Sequence, residues 1–252
     1  MGTIQFAAAC KTYPGGVLAL ENVDFTVGEG EFVALLGPSG CGKSTLLNLV
    51  AGFETLSQGR MNFDGQGVTK PGPDRGVVFQ EASLMPWLTV WDNVVFGPLV
   101  QKVPREIYEK RAHEILRIMG LQDFHKALPV QLSGGMRQRV GIARALVMQP
   151  KALLMDEPFG ALDAQTRLSM QELLLDVWQN LKTTVLFVTH DIDEAILLAD
   201  RVCVMTARPG RITRDIPIDL PRPRNIDTLT SSGFTAYKAM IMAEMRGAHA
   251  HH

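Results

Sequence analysis

Gly37-Pro38-Ser39-Gly40-Cys41-Gly42-Lys43-Ser44 is the stretch on which the reading of this chain turns. It matches G-x-x-x-x-G-K-[ST]. An apolar run, Phe32-Val33-Ala34-Leu35-Leu36, precedes it, and residues 45–51, helical in pattern and stopped by Gly52, follow. Strand, glycine-rich turn and helix in that order bring backbone N–H groups and the positive end of a helix to one point, a cradle for phosphate. The pattern assigns Lys43 to the β- and γ-phosphates of a nucleotide and the Ser44 hydroxyl to Mg²⁺. Thr45 belongs to the same binding segment. A buried strand feeding such a loop calls for an α/β fold.

Working outward, Gly76-Val77-Val78-Phe79 and residues 152–155, 185–188 and 202–205 are further buried-strand runs. Short β-rich runs separated by helical stretches predict a parallel sheet. Residues 3–27 alternate apolar and polar positions around Tyr13-Pro14-Gly15-Gly16 and read as short strands joined by turns. After Gln80 the pattern becomes helical. Pro104 opens a helix with Tyr108, Ala112, Ile115, Leu116 and Met119 on one face, and Gly120 closes it. Ser133 is placed to cap a second helix carrying Met136, Val140, Ala143 and Val147, with Pro150 beyond its end. Residues 212–223 read as an edge strand or extended arm. The predicted organisation is a nucleotide-binding core with an antiparallel β subdomain (1–79 and 151–215), an inserted helical subdomain (80–150) and a C-terminal extension (216–252).

With 252 residues the chain can bury an ample core, and its hydrophobic and charged contents of 46% and 20% are ordinary for a globular protein. A net charge of −1 without blocks of like charge argues against a nucleic-acid partner. No run is long enough to cross a bilayer and no leader-like pattern opens the chain, so it is expected to be made and kept in the cytosol. Cys10, Cys41 and Cys203 lie far apart, which fits a reducing compartment. The tail Gly247-Ala248-His249-Ala250-His251-His252 reads as disordered.

Residues 152–155 form a strand that delivers Asp156 and Glu157 at its C-terminal end, where open α/β sheets bind ligands. Asp156 suits a role at Mg²⁺, and Glu157, one residue on, suits a base that orients or activates water. His190 ends another strand, in Thr189-His190-Asp191, and can reach the γ-phosphate beside Glu157.

These residues, together with Leu132-Ser133-Gly134-Gly135, make the chain resemble the ATP-binding-cassette ATPases over about residues 3–215. The resemblance implies that Tyr13 stacks on adenine and that Gln80 contacts Mg²⁺ and the attacking water. It identifies residues 132–136 with the family signature and Gly160-Ala161-Leu162-Asp163 with a loop that crosses between subunits. His190 corresponds to the switch histidine. A signature Ser at a helix N-terminus followed by glycines presents N–H groups to an anion. In the family that anion is nucleotide held by a second copy, so a head-to-tail homodimer with two ATP molecules is expected. Met136 stands where many members have Gln, as it does in members that import nitrate and sulfonates.

Phe79-Gln80-Glu81-Ala82-Ser83-Leu84-Met85-Pro86-Trp87-Leu88-Thr89-Val90 is apolar after the glutamine, and residues 80–90 are expected to dock a helix of a membrane-embedded permease. Glu157-Pro158-Phe159-Gly160-Ala161-Leu162-Asp163 and Met205-Thr206-Ala207-Arg208-Pro209-Gly210-Arg211-Ile212 resemble the importers of nitrate, sulfonates and taurine. The implied role is ATP hydrolysis at the cytoplasmic face of the inner membrane, driving uptake of a small anion handed over by a solute-binding protein. A soluble cassette ATPase of DNA repair or translation is the alternative. The spacing from Lys43 to Asp156 leaves no room for the long coiled coil of the repair enzymes.

Overall fold

A computed structural model describes residues 2–249 of the chain. Its first two strands, β1 (Ile4–Tyr13) and β2 (Val17–Val27), form one long antiparallel hairpin where short strands were expected. The difference has a local cause. The pairing slips between Phe6 and Ala9, and Ala8 and Asn22 take positive φ values of 48° and 47°. Such irregularities reset the in–out alternation, and in sequence they look like turns.

The chain then runs through β3 (Phe32–Leu36), α1 (Lys43–Ala51), β4 (Gln58–Phe63), β5 (Gln66–Gly67) and β6 (Arg75–Val78). Next come three helices, α2 (Val90–Val100), α3 (Arg105–Ile118) and α4 (Gly134–Leu146). It continues with β7 (Ala152–Asp156), α5 (Ala164–Leu181), β8 (Thr184–Thr189), α6 (Ile192–Leu198), β9 (Arg201–Met205), β10 (Ile212–Pro217) and α7 (Ser232–His249).

The strands make a six-stranded sheet in the order β10-β9-β3-β8-β7-β6 and a four-stranded antiparallel sheet in the order β2-β1-β4-β5. In the larger sheet all neighbours are parallel except β10, which pairs antiparallel with β9 at the edge. Every residue of β3 and β8 is buried, because both faces of the sheet are covered. Val33 and Leu35 face one apolar core, shared with α1 and the antiparallel sheet. Phe32, Ala34 and Leu36 face a second core beneath the helices. The fold is therefore α/β, with a phosphate-loop nucleotide-binding core, an antiparallel β layer and helices inserted between β6 and β7.

The inserted helices follow from their sequence. Thr89 caps α2 by accepting the Asp92 N–H at 3.1 Å, and Ser133 caps α4 by accepting the Met136 N–H at 3.2 Å. Residues of α2, α3 and α4 share their apolar core with strands of the large sheet. At the close approach of α4 to β6, a Cβ on Gly76 would meet Ala145 Cβ at 3.3 Å.

At the C-terminal end, β10 is the expected edge strand and residues 218–225 are an arm over α6. The helix α7 had no counterpart in the sequence reading, although Phe234, Tyr237, Ile241 and Met245 carry a helical spacing and pack on the core. The helix reaches His249, into the tail expected to be disordered, whose residues 250–252 lie outside the described part. No helix among the described residues is long and apolar enough to cross a membrane.

Candidate functional site

The loop 37–42 leaves β3 at the C-terminal edge of the sheet and enters α1 at Lys43. Gly42, the residue before the helix, has φ +95°, and a side chain there would strike Leu20 Cδ2 at 2.7 Å. Only glycine fits that position. Lys43 is 5% exposed, with Nζ donating to Gly37 O at 2.8 Å and Pro38 O at 3.0 Å. It crosses the loop from the helix start, while the first N–H groups of α1 open into the same space.

The acidic pair comes from β7. Ser44 Oγ donates to Asp156 Oδ1 at 3.1 Å, so the hydroxyl at the start of α1 and the carboxylate at the end of β7 converge. Burial pushes the Asp156 carboxyl above the ordinary range for Asp, and the Ser44 hydrogen bond partly offsets this. Two hard oxygen donors side by side suit Mg²⁺, which takes few protein ligands and keeps phosphate and water oxygens. Glu157 has φ +44°, and its N–H donates to Val188 O of β8 at 2.9 Å. This turn carries its carboxylate to His190, whose Nδ1 lies 3.0 Å from Glu157 Oε2.

The cleft above the loop has a volume of about 570 Å³ and is lined by Tyr13, Lys43, Ser44, Thr45, Glu157 and Arg208 among others. Pockets of that size hold nucleotide-sized ligands. Tyr13 is half-buried, its hydroxyl 3.4 Å from Thr45 Oγ1, and the Lys11 ammonium sits 4.9 Å over its ring.

Ser133, Gly134 and Gly135 are elsewhere. Ser133, Gly135, Met136, Arg139 and Thr166 line a separate cleft of about 300 Å³. Asp163 is beside it as the cap of α5, its Oδ1 accepting the Thr166 N–H at 3.0 Å. Hydrogen bonds from Thr166 hold the Asp163 carboxyl below the usual range. The two groups of site residues thus divide between two surfaces of one chain. Gln80 lines neither of these two clefts. Its side chain makes no hydrogen bond among the described residues, so it is not joined to the Ser44–Asp156 pair. A Cβ on Gly160 would be 3.2 Å from its Nε2, which places it against the 160–163 loop.

Two groupings were not foreseen. Arg208 lines the same cleft as Lys43, and the sequence had marked it solely as part of the Met205–Ile212 stretch, a cation beside Pro-Gly. The second is a buried polar knot behind Glu157 and His190. Glu194, 5% exposed, accepts from Thr189 Oγ1 at 2.7 Å and from Gln171 Nε2 at 3.1 Å. Arg167 of α5 faces Asp191 and Glu194 at 3.7 and 3.9 Å and donates to Leu162 O at 3.0 Å. Burial raises the Glu194 carboxyl above its ordinary range, against the pull of the Thr189 hydroxyl.

The apolar stretch after Gln80 is on the surface, with Trp87 74% exposed and Phe79 stacked on Phe53 at 6.3 Å. Val90 belongs to the core. The stretch is held from beneath. Buried Asn93 donates to the carbonyls of Met85, Leu88 and Thr89, and Arg144 of α4 donates to those of Ala82 and Ser83.

Residues 20–160 match the ABC transporter family. The chain is 54% identical over 220 residues to the taurine import ATP-binding protein TauB of Rhizobium johnstonii, covering 87% of this chain and 83% of that protein. It is 52% identical over 207 residues to the nitrate import ATP-binding protein NrtD of a Synechocystis species, covering 82% of this chain and 78% of that one. Among solved structures it resembles the dimeric, post-hydrolysis state of the cassette MJ0796 bound to ADP and Pi. The TM-score is 0.74 at 35% identity, over 86% of this chain and all of that chain.

Proposed function

Because the chain belongs to the ABC transporter family and is an ATP-binding ATPase of that family, we propose that it is the motor subunit of an importer for a small anion such as taurine, an alkanesulfonate or nitrate. The observation that carries the catalytic part is the convergence of Lys43, Ser44 and Glu157 on one cleft, with Asp156 bonded to Ser44 and His190 to Glu157. The likeness to taurine and nitrate import proteins supports the choice of solute class.

In this reading Tyr13 stacks on the adenine, while the loop 37–42, Lys43 and Thr45 hold the phosphates. Ser44 and Asp156 would hold Mg²⁺, with Gln80 joining them from its place against the 160–163 loop, and the ion would supply positive charge against the phosphate oxygens when bound. Glu157 accepts a proton from water as the water oxygen bonds to the γ-phosphorus. The bond to the ADP oxygen breaks, and inorganic phosphate leaves. His190 holds the Glu157 carboxylate in place and donates toward the γ-phosphate.

Ser133, Gly134, Gly135 and Asp163 act on the nucleotide of a second copy, which accounts for their standing in a cleft of their own. Residues 80–150 work as the helical signature subdomain on a core of 1–79 and 151–215. Closure of the dimer moves permease helices docked on the surface around Phe79 and Trp87, at the cytoplasmic face of the membrane.

The test is Glu157→Gln. We expect ATP to remain bound, turnover to fall by about 10² to 10⁴, and an ATP-bound dimer to accumulate on gel filtration. Normal turnover would remove Glu157 from the base role, and failure of the wild-type protein to copurify with membrane subunits would remove the importer reading.

A further inference from the structure

The loop between β9 and β10 is built onto the phosphate loop. Gly210 donates its N–H to Ala19 O at 2.9 Å, and Glu21 N–H returns to Gly210 O at 3.0 Å, so the loop is stitched to β2. Gly210 also lies so close to the phosphate loop that a Cβ on it would meet Cys41 O at 2.1 Å. Thr206 N–H closes the turn on Arg211 O at 3.0 Å, and Arg211 Nε pairs with Glu21 at 3.0 Å. A loop held at these points has little freedom in where it places its tip.

The tip is Arg208, and three of its properties stand together. It has φ +35°, a left-handed backbone that a side-chain-bearing residue adopts only at a cost. Its Nη2 comes within 3.8 Å of where a Cβ on Gly40 would stand, inside the phosphate loop. Its guanidinium makes no hydrogen bond or ion pair among the described residues, although it lines the same cleft as Lys43. A strained backbone that aims an unpartnered cation into a cleft is the arrangement expected of a ligand contact, since such strain persists where function retains it. Guanidinium carries a planar fork of donors matched to phosphate oxygens.

We infer that Arg208 is a second cationic arm of the nucleotide site, donating to the phosphate chain of the bound nucleoside triphosphate from the β9–β10 loop beside Gly40. This rests on the reading of the 570 Å³ cleft as the nucleotide site. Lys43 approaches the phosphates from the helix start, and Arg208 from the loop between β9 and β10.

The test measures ATP affinity in the Glu157→Gln background, where the nucleotide stays intact. Arg208→Gly relieves the left-handed strain and removes the guanidinium. We expect its melting temperature to equal or exceed that of the parent, while Kd for ATP rises about tenfold or more, as for loss of a charge-assisted hydrogen bond. Arg208→Lys should recover part of the affinity, because it keeps the charge without the fork. An unchanged Kd in Arg208→Gly overturns the inference, and so does a raised Kd accompanied by a fall of several degrees in melting temperature. An unchanged Kd with weakened ATP-driven dimerisation overturns it too, and assigns Arg208 to the second copy instead. Lys43→Ala separates the two levels. If it leaves ATP binding intact, the cleft itself is misread. If it abolishes binding while Arg208→Gly does not, only the role of Arg208 fails.

Discussion

At the scale of single residues, backbone conformation decides which groups can act. Glu157 and Arg208 both have positive φ, and both line the cleft above the glycine-rich loop. Cys41 is the opposite case. Its position inside the phosphate loop suggests a thiol whose alkylation blocks nucleotide binding, yet its side chain is 0% exposed. Burial raises its pKa, and the neighbouring Lys43 ammonium only partly opposes this. Cys41 should therefore react with N-ethylmaleimide at least tenfold more slowly than half-exposed Cys10, as followed by peptide mass spectrometry at neutral pH. Equal rates at the two sites would show that the loop opens in solution.

Between elements, the polar knot joins the start of α5 to the start of α6. Arg167 holds the Leu162 carbonyl of the 160–163 loop and faces Asp191 and Glu194, while Glu194 holds Thr189, the residue before His190. The 160–163 loop and the loop after β8 are thereby braced against one another. The raised pKa of Glu194 has a consequence for stability. The folded state keeps the proton longer than the unfolded chain, so this group favours folding most below the ordinary Glu value, about 4.3. That contribution is lost as pH rises through the folded pKa. The melting temperature of wild type minus that of Glu194→Gln should fall by a few degrees as pH rises from about 4.5 to 7, given ~2–4 °C per kcal/mol for a chain of this size. A flat difference across that range would mean that burial does not govern this carboxyl.

Across the whole molecule, the C-terminal arm is part of the fold. Arg224, 4% exposed, donates to the carbonyls of Ile196, Ala199, Ile218 and Leu220, and burial brings its pKa down to about 10. Lys238 of α7 reaches Asp193 of α6 at 2.8 Å, three residues after His190. Arg224→Ala leaves several buried carbonyls without a donor and should cost about 3 kcal/mol. Thermal unfolding would then occur roughly 6–12 °C lower, with ATP affinity little changed. A variant as stable as wild type would show the arm to be an appendage.

What could be read without coordinates was whatever obeys a local rule. The buried strands, the glycine-rich loop entering a helix, the Ser133 cap and the order of Lys43, Asp156, Glu157 and His190 along the chain are set by short-range sterics and hydrophobic periodicity, and they determined an α/β nucleotide-binding core. The helix α2 was not foreseen, because Gly97 and Pro98 lie within it and buried Asn93 occupies its core face. For α7, Pro-rich residues before it masked the spacing of Phe234, Tyr237 and Ile241. Only the tertiary structure brought Ser44 to Asp156 across 112 positions, placed Arg208 beside Gly40 and separated Ser133 from Lys43. Those relations depend on strand order, β9-β3-β8-β7, and on the packing that follows from it. No periodicity along the chain encodes which strand ends become neighbours, because that is settled by burying both faces of one sheet at once.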